Sequence, residues 1–462
     1  MSTLIDGLVQ VLGSAHVLTG ADIPDKYQTD WFKAHVITPL AVARPATPEQ
    51  VAQVLTICHQ HRQSVTIQGG MTGLVGGGIP QASDVVLSLE RLVGIEEIDT
   101  AAATMTVLAG TPLQTVQEAA REAGLLFAVD LGARGSCQIG GNIATNAGGN
   151  RVIRYGMMRE QVLGLEVVLA DGTRVSSLNK MLKNNAGYDL KHLFIGSEGT
   201  LGVVTRAVLR LHPLPVSTCT AWCTLPGYDA VVAFLRHAQT QLGGMLSAFE
   251  VMWPDFYDLV TQRVPDRRAP IPHGSSLYVL LEAEGNDQQG DMERFSAMLE
   301  SALERGWVED ASIAQSLKER EEFWRVRDAV SEFPLMWSPY CGYDVSLPIG
   351  RIGEFVERLQ EKLRARFPGC EHVHFGHIGD SNLHVGVHLA AKWGPFPEPE
   401  FDACVYTLLR EYGGSVSAEH GIGTHKMAYL GYSRTPEEMA VMTSLKNALD
   451  PLKLLNPGKV LP

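Results

Sequence analysis

The stretch Gly69-Gly70-Met71-Thr72-Gly73-Leu74-Val75-Gly76-Gly77-Gly78 decides the reading of the fold, together with a second run, LGARGSCQIGGNIATNAGG, from Leu131 to Gly149. Six of the ten residues in the first are glycine, and six more glycines fall between Gly132 and Gly149. Without a Cβ, glycine lets main-chain N–H groups come close to an anionic ligand. Working outward, Thr47-Pro48-Glu49-Gln50 has the shape of a capping box with proline at the first helical position, which predicts a helix to about His61. A strand is expected at Ser64-Val65-Thr66-Ile67, running straight into the first loop, with others at 84–89, 104–109 and 165–169 and a helix from Pro112 to Ala123. A nicotinamide-type fingerprint needs a strand, Gly-x-Gly-x-x-Gly and then a helix. The first loop instead runs into Ile79-Pro80, the second lacks the spacing, and no Gly-x-x-x-x-Gly-Lys-[Ser/Thr] phosphate loop occurs.

The 462 residues exceed what one core usually supports, about 250–300, so more than one domain is expected. Hydrophobic residues at 45% and charged residues at 19% exclude a disordered or collagen-like chain. The net charge of −13 argues against a nucleic-acid partner. Residues 1–215 carry 16 basic and 18 acidic side chains, whereas residues 216–462 carry 22 and 33. An anionic substrate therefore needs a local cation, because the overall field does not draw it in. No apolar run approaches the roughly 20 residues of a spanning helix. MSTLIDGLVQVLG lacks a basic n-region and carries Asp6, so a signal peptide is not expected. The seven scattered cysteines (Cys58, Cys137, Cys219, Cys223, Cys341, Cys370, Cys404) read mostly as small core residues, and the expected compartment is the cytoplasm. The two prolines of His212-Pro213-Leu214-Pro215 mark a boundary. The expected domains are 1–215, then 216–435, then a helix and tail at 436–462 that pack back on the first.

GGMTGLVGGG, SCQIGGNIATNAGGNRVIRYG and GSEGTLGVVT together resemble the flavin-binding domain of the vanillyl-alcohol oxidase superfamily over roughly residues 40–215. The resemblance implies an α+β, two-domain flavoprotein: an FAD-binding domain followed by an α+β substrate (cap) domain. It implies FAD held by backbone amides, with Gly69, Gly70, Met71, Thr72, Gly73, Leu74, Gly76, Ser136, Gly140, Gly141, Asn142, Thr145, Ala147, Glu198, Val204 and Asn456 as cofactor-binding residues. Members that attach flavin covalently use a His in the first loop. Met71 and Thr72 stand there, so the resemblance implies non-covalent FAD, with Met71 replacing the usual Asn.

The densest chemical signal lies at His372-Val373-His374-Phe375-Gly376-His377-Ile378-Gly379-Asp380-Ser381-Asn382-Leu383-His384-Val385-Gly386-Val387-His388. Alternating apolar residues around Gly-Asp-Ser-Asn predict a β-hairpin. A turn centred on Asp380-Ser381 pairs His377 with His384, one face and about 4.5–5.5 Å between Cβ atoms, which suits two ligands of one metal. His388 falls too far along that face, and His374 points to the other. Ser417-Ala418-Glu419-His420-Gly421-Ile422-Gly423 adds a carboxylate and an imidazole side by side. Together the segments offer two histidines and a glutamate with an open position, the arrangement of a catalytic divalent site, in which His420 would be free to act as a base.

These pieces, with the closing Asn456-Pro457-Gly458-Lys459, resemble the C-terminal domain of the FAD-dependent D-2-hydroxy-acid dehydrogenases, the D-2-hydroxyglutarate and D-lactate enzymes being the nearest types. The resemblance implies His377, His384 and Glu419 as metal ligands, zinc for preference, and His420 as general base. Glu321 to Ser331 is expected to be a helix that puts Arg327 and Ser331 on one face, a shape suited to a carboxylate. By resemblance these two match an Arg and a Thr that bind the substrate carboxylate. The hydroxyglutarate enzymes carry Lys-Tyr-Asp-Leu-Ser-Leu-Pro, where this chain has Gly342-Tyr343-Asp344-Val345-Ser346-Leu347-Pro348, so the Lys for a distal carboxylate is missing. The implied reaction is oxidation of a D-2-hydroxy acid (D-2-hydroxyglutarate, D-lactate or similar) to its 2-oxo acid, with hydride transfer to FAD. The electrons pass on to an acceptor such as an electron-transfer flavoprotein, a quinone or a cytochrome, and a homodimer is one assembly considered. The rivals are an oxygen-using oxidase and a flavin subunit of a larger glycolate-oxidase-like complex.

Overall fold

Thr47 caps the helix Pro48–Gln60 by accepting the Gln50 N–H at 3.2 Å, with Pro48 at the first helical position. This is the computed structural model, which describes residues 2–31, 33, 35–391, 394 and 396–462. The helix buries Val51, Val54, Leu55 and Cys58 against the core that Val65, Val85 and Leu87 build from neighbouring strands. After it, Val65–Gln68 pairs in parallel with Val85–Ser88, which pairs in parallel with Ala41–Ala43, and Val17–Thr19 closes the four-stranded sheet antiparallel. The first glycine loop leaves the end of Val65–Gln68.

A second, wholly antiparallel sheet runs in the order Ile95–Asp99, Thr104–Leu108, Val203–Arg210, Val162–Val168, Arg174–Ser177. Its Met105, Val107, Leu165, Val167 and Ala207 join the same core. Everything described up to Gly149, with Tyr155–Leu214 and Glu419–Pro462, forms one compact unit. The helix Pro436–Leu449 belongs to it and opens on a full capping box, Thr435 with Glu438.

Asn150–Arg154 and Pro215–Ala418 form the other unit. Its sheet has seven antiparallel strands in the order Asp310–Ile313, Ser217–Leu225, Leu277–Gly285, Leu246–Met252, Glu371–His377, Asn382–His388, Tyr340–Ser346. Leu277–Gly285 and Leu246–Met252, inside this sheet, are buried along their whole length and are correspondingly rich in apolar residues. Trp222, Phe256, Tyr257, Phe333 and Phe375 fill a core on one side of it. Among the described residues, no helix is long and apolar enough to cross a membrane.

Candidate active site

In the first unit the glycine loops enclose a cavity of about 380 Å³, within the size range of cofactor sites. Gly69, Gly70, Met71, Thr72, Gly73, Leu74, Gly140, Gly141, Asn142, Thr145, Ala147, Glu198, Val204 and Asn456 line it, and so do Glu419 and His420. Gly76 and Ser136 do not. Ser136 shapes the wall from behind: a Cβ on Gly70 would sit 2.1 Å from its carbonyl oxygen, so only glycine lets the two loops pack. The sequence reading missed Asp30, Gln138 and Phe194 on the wall, whose residue types carry no local signal, and also Gly77, Gly132 and Gly199, which lay in plain sight among the glycine runs.

Glu198, at φ +51, accepts the N–H groups of Ile422 at 2.7 Å and Gly423 at 2.8 Å. Burial pushes its carboxyl up against those donors. Asn456 spends its side chain on main chain, accepting from Ile67 at 2.9 Å and donating to the Glu198 carbonyl at 2.7 Å. Glu419 accepts the Gly149 N–H at 2.7 Å. Two buried acceptors on the wall, Asn142 Oδ1 and Gln138 Oε1, have no protein partner, and a Cβ on Gly73, Gly132 or Gly141 would meet nothing within 4 Å. Unsatisfied buried acceptors together with bare backbone facing open space fit a polar cofactor laid along the loops.

In the second unit the hairpin forms, with a corrected register. His384 lies opposite Phe375 rather than His377. The chain turns through a 3₁₀ segment, Ile378–Asp380, with Ser381 left-handed at φ +76, so the turn centres one residue earlier than expected. That slips the pairing by two residues, which preserves the face. His377 and His384 become diagonal neighbours, their rings 5.4 Å apart and nearly perpendicular. His388 stacks on Trp337, its Nδ1 2.7 Å from the Pro339 carbonyl, and His374 faces the other side.

Each of the two histidines has a buried carboxylate behind it that the sequence reading did not find. Glu250 Oε1 lies 2.6 Å from His377 Nδ1. A carboxylate only accepts, so Nδ1 carries the proton and Nε2 the lone pair. Arg327 Nη2, 3.1 Å from Nε2, is a donor placed to match. Burial would raise the Glu250 carboxyl, but His377 and Arg327 outweigh it and hold it at about 2. Asp344 stands 3.9 Å from His384 Nδ1 and accepts from Asn382 at 2.6 Å and from the Ala418 N–H at 3.2 Å. Glu250, at hydrogen-bond distance, fixes the orientation of the His377 ring. The lone Glu in the apolar strand Leu246–Met252 was the one available signal for Glu250.

Arg327 is buried, with Nε 2.7 Å from Glu250 Oε2 and its guanidinium over the Phe375 ring. Ser331 is not on its face. The α-helix Leu317–Arg327 ends at Arg327 and a 3₁₀ turn, Asp328–Glu332, follows, so the four-residue spacing no longer aligns the two. Ser331 is exposed and its hydroxyl turns back to the Asp328 carbonyl at 3.4 Å.

Residues 39–177 match the family described as FAD binding domain, and residues 214–460 the family described as FAD linked oxidases, C-terminal domain. The chain is 37% identical to D-2-hydroxyglutarate dehydrogenase, mitochondrial, of Arabidopsis thaliana, over 98% of this chain and 80% of that one. It is 40% identical to D-2-hydroxyglutarate dehydrogenase of Xanthomonas citri pv. viticola, over 94% and 92%. Among solved structures, an alkyldihydroxyacetonephosphate synthase superposes with a TM-score of 0.78 at 15% identity, over 99% of this chain and 84% of that one, which speaks for the fold. The fold is that of the vanillyl-alcohol oxidase flavoproteins, α+β with an FAD-binding and a C-terminal domain. With relatives this similar over nearly its full length, the chain belongs to the FAD-dependent D-2-hydroxy-acid dehydrogenases.

Proposed function

We propose that this enzyme oxidises D-2-hydroxyglutarate, or a closely similar D-2-hydroxy acid, to the 2-oxo acid with the help of a divalent metal, zinc for preference. His377 and His384 hold the metal, and Glu419 is its third ligand. The observation that carries the reading is the meeting of His377 and His384, their rings 5.4 Å apart, with Glu250 2.6 Å from His377 Nδ1 to orient that ring. Support for Glu419 comes from the chain itself, since its neighbour Ala418 is hydrogen-bonded to Asp344, the carboxylate beside His384.

When bound, FAD accepts the C2 hydride and the metal lowers the pKa of the substrate hydroxyl. His420, on the cavity wall, takes the hydroxyl proton on its ring nitrogen. Arg327 supplies the cation that draws the substrate carboxylate into a strongly acidic half of the chain. Ser331, exposed on its 3₁₀ turn, has no part in this assignment. Gly342 leaves the distal carboxylate of hydroxyglutarate without the family lysine, so a monocarboxylate such as D-lactate is the comparison substrate. The electron acceptor is a carrier protein or quinone rather than oxygen. The compartment is a reducing one, the cytoplasm, in keeping with seven unpaired cysteines.

Dye reduction by the purified yellow protein over D- and L-2-hydroxy acids, with and without chelator, tests the reading. The D isomers should reduce the dye, with hydroxyglutarate first, and chelation should abolish turnover while the flavin stays bound. Turnover indifferent to the chelator would remove the metal from the mechanism, and equal use of both isomers would remove the stereochemical assignment.

A further inference from the structure

Behind the histidine hairpin lies a second group of ligating side chains that the proposed chemistry does not use. His372 and His374 alternate with His377 along the strand Glu371–His377, so they project from its opposite face. Their rings are 5.1 Å apart. Between them stands Asp255, in the first turn of the helix Pro254–Arg263. Its Oδ1 accepts the N–H groups of His374 at 3.0 Å and Phe256 at 2.8 Å. Its Oδ2 lies 2.7 Å from His374 Nδ1, 3.2 Å from Gln360 Nε2 and 3.4 Å from His372 Nδ1.

The carboxylate is thus well supplied with donors, but the imidazoles are not matched. His372 Nδ1, aimed at Asp255 from a side chain 9% exposed, makes no hydrogen bond, and neither does Nε2 of the fully buried His374. Buried polar atoms without partners ask for an occupant. Each of the three residues offers a ligand atom within 4.8 Å of the others. Around a tetrahedral ion with metal–nitrogen bonds of about 2.0–2.1 Å, neighbouring ligand atoms lie about 3.3 Å apart. Small rotations of the side chains therefore close the set. Two imidazoles and a carboxylate suit zinc and its first-row neighbours, with water in the fourth position.

We propose that Asp255, His372 and His374 form a second divalent-metal site, which staples the start of the helix Pro254–Arg263 to the strand that carries His377. Its role is structural, on the face of the sheet away from His377 and His384.

Cobalt(II) titration of the chelator-stripped full chain, followed by its visible d–d absorption and by metal content after gel filtration, tests this. His372→Ala and Asp255→Asn should each take up one equivalent fewer than the wild type, whereas His384→Ala retains that equivalent. Asp255→Asn keeps the shape of the side chain, so it carries the comparison if circular dichroism shows His372→Ala to be misfolded. Equal uptake by the wild type and both variants would overturn the site. Failure of the metal proposed at His377 and His384 leaves His384→Ala with wild-type uptake and does not alter the comparison.

Discussion

Glu250 lies within the apolar strand Leu246–Met252, 1% exposed, with Arg327 on one carboxylate oxygen and His377 on the other. Breaking a buried pair by removing one partner costs about 3–5 kcal/mol, because the remaining charge stays buried and uncompensated. Glu250→Gln is therefore expected to lower the unfolding free energy by about 3 kcal/mol in denaturant melts. A loss below about 1 kcal/mol would mean that Arg327 reaches another counter-charge. Met71 illustrates the reverse situation. Its φ of +54 is left-handed, a conformation that costs a residue with a Cβ roughly 1–2 kcal/mol and that Asn adopts with least strain. The family's Asn at this place was legible by resemblance, but the reason for it is a backbone angle that no local pattern announces.

Among the elements, the glycine loops and the hairpin answer to different constraints. In the loops, some glycines are there for packing and others for a ligand. Gly70 belongs to the first kind, since a Cβ would collide with Ser136 and Cys137 main chain at 2.1 and 2.9 Å. Gly141 belongs to the second, because its Cβ would point into open cavity. Gly70→Ala should destabilise the apoprotein as well as emptying it of flavin. Gly141→Ala should keep apoprotein stability within about 0.5 kcal/mol and still lose the yellow absorbance on purification. If Gly141→Ala retains its flavin, the cofactor does not lie against that loop. In the hairpin, alternation correctly put His377 and His384 on one face. The register went astray because a 3₁₀ turn with a left-handed Ser381 replaced a turn centred on Asp380-Ser381. Gly376 is needed at the new register, since a Cβ there would lie 2.3 Å from the Asn382 carbonyl oxygen. The helix expected through Ser331 stopped at Arg327 for a similar reason: ideal four-residue spacing was assumed across a change of helix type.

For the molecule as a whole, the charge distribution bears on rate. Residues 216–462 carry 22 basic and 33 acidic side chains, so their field opposes the approach of an anionic substrate. Raising the ionic strength from about 10 mM to about 150 mM shortens the Debye length from about 30 Å to about 8 Å. The value of kcat/KM for D-2-hydroxyglutarate should then rise, by up to about threefold, and more than that for the monoanion D-lactate. A fall with added salt would show that local cations dominate the encounter.

The sequence by itself determined the flavoprotein family and marked out the residues proposed for the chemistry. Glycine density, the spacing of His377 and His384, and the Glu419-His420 pair are local patterns, and local patterns survive folding. It also supplied the cap at Thr47 and the alternation that sorts faces of a strand. Only the tertiary structure decided which side chains stand behind His377 and His384. Glu250 meets His377 across 127 residues of chain, and Asp344 comes to His384 from another strand. Antiparallel pairing between distant strands depends on how the whole sheet packs, and nothing in the local periodicity of either strand encodes the partner. The same holds for Asp255 and the two histidines on the far face, which meet only because a helix starts where that strand passes.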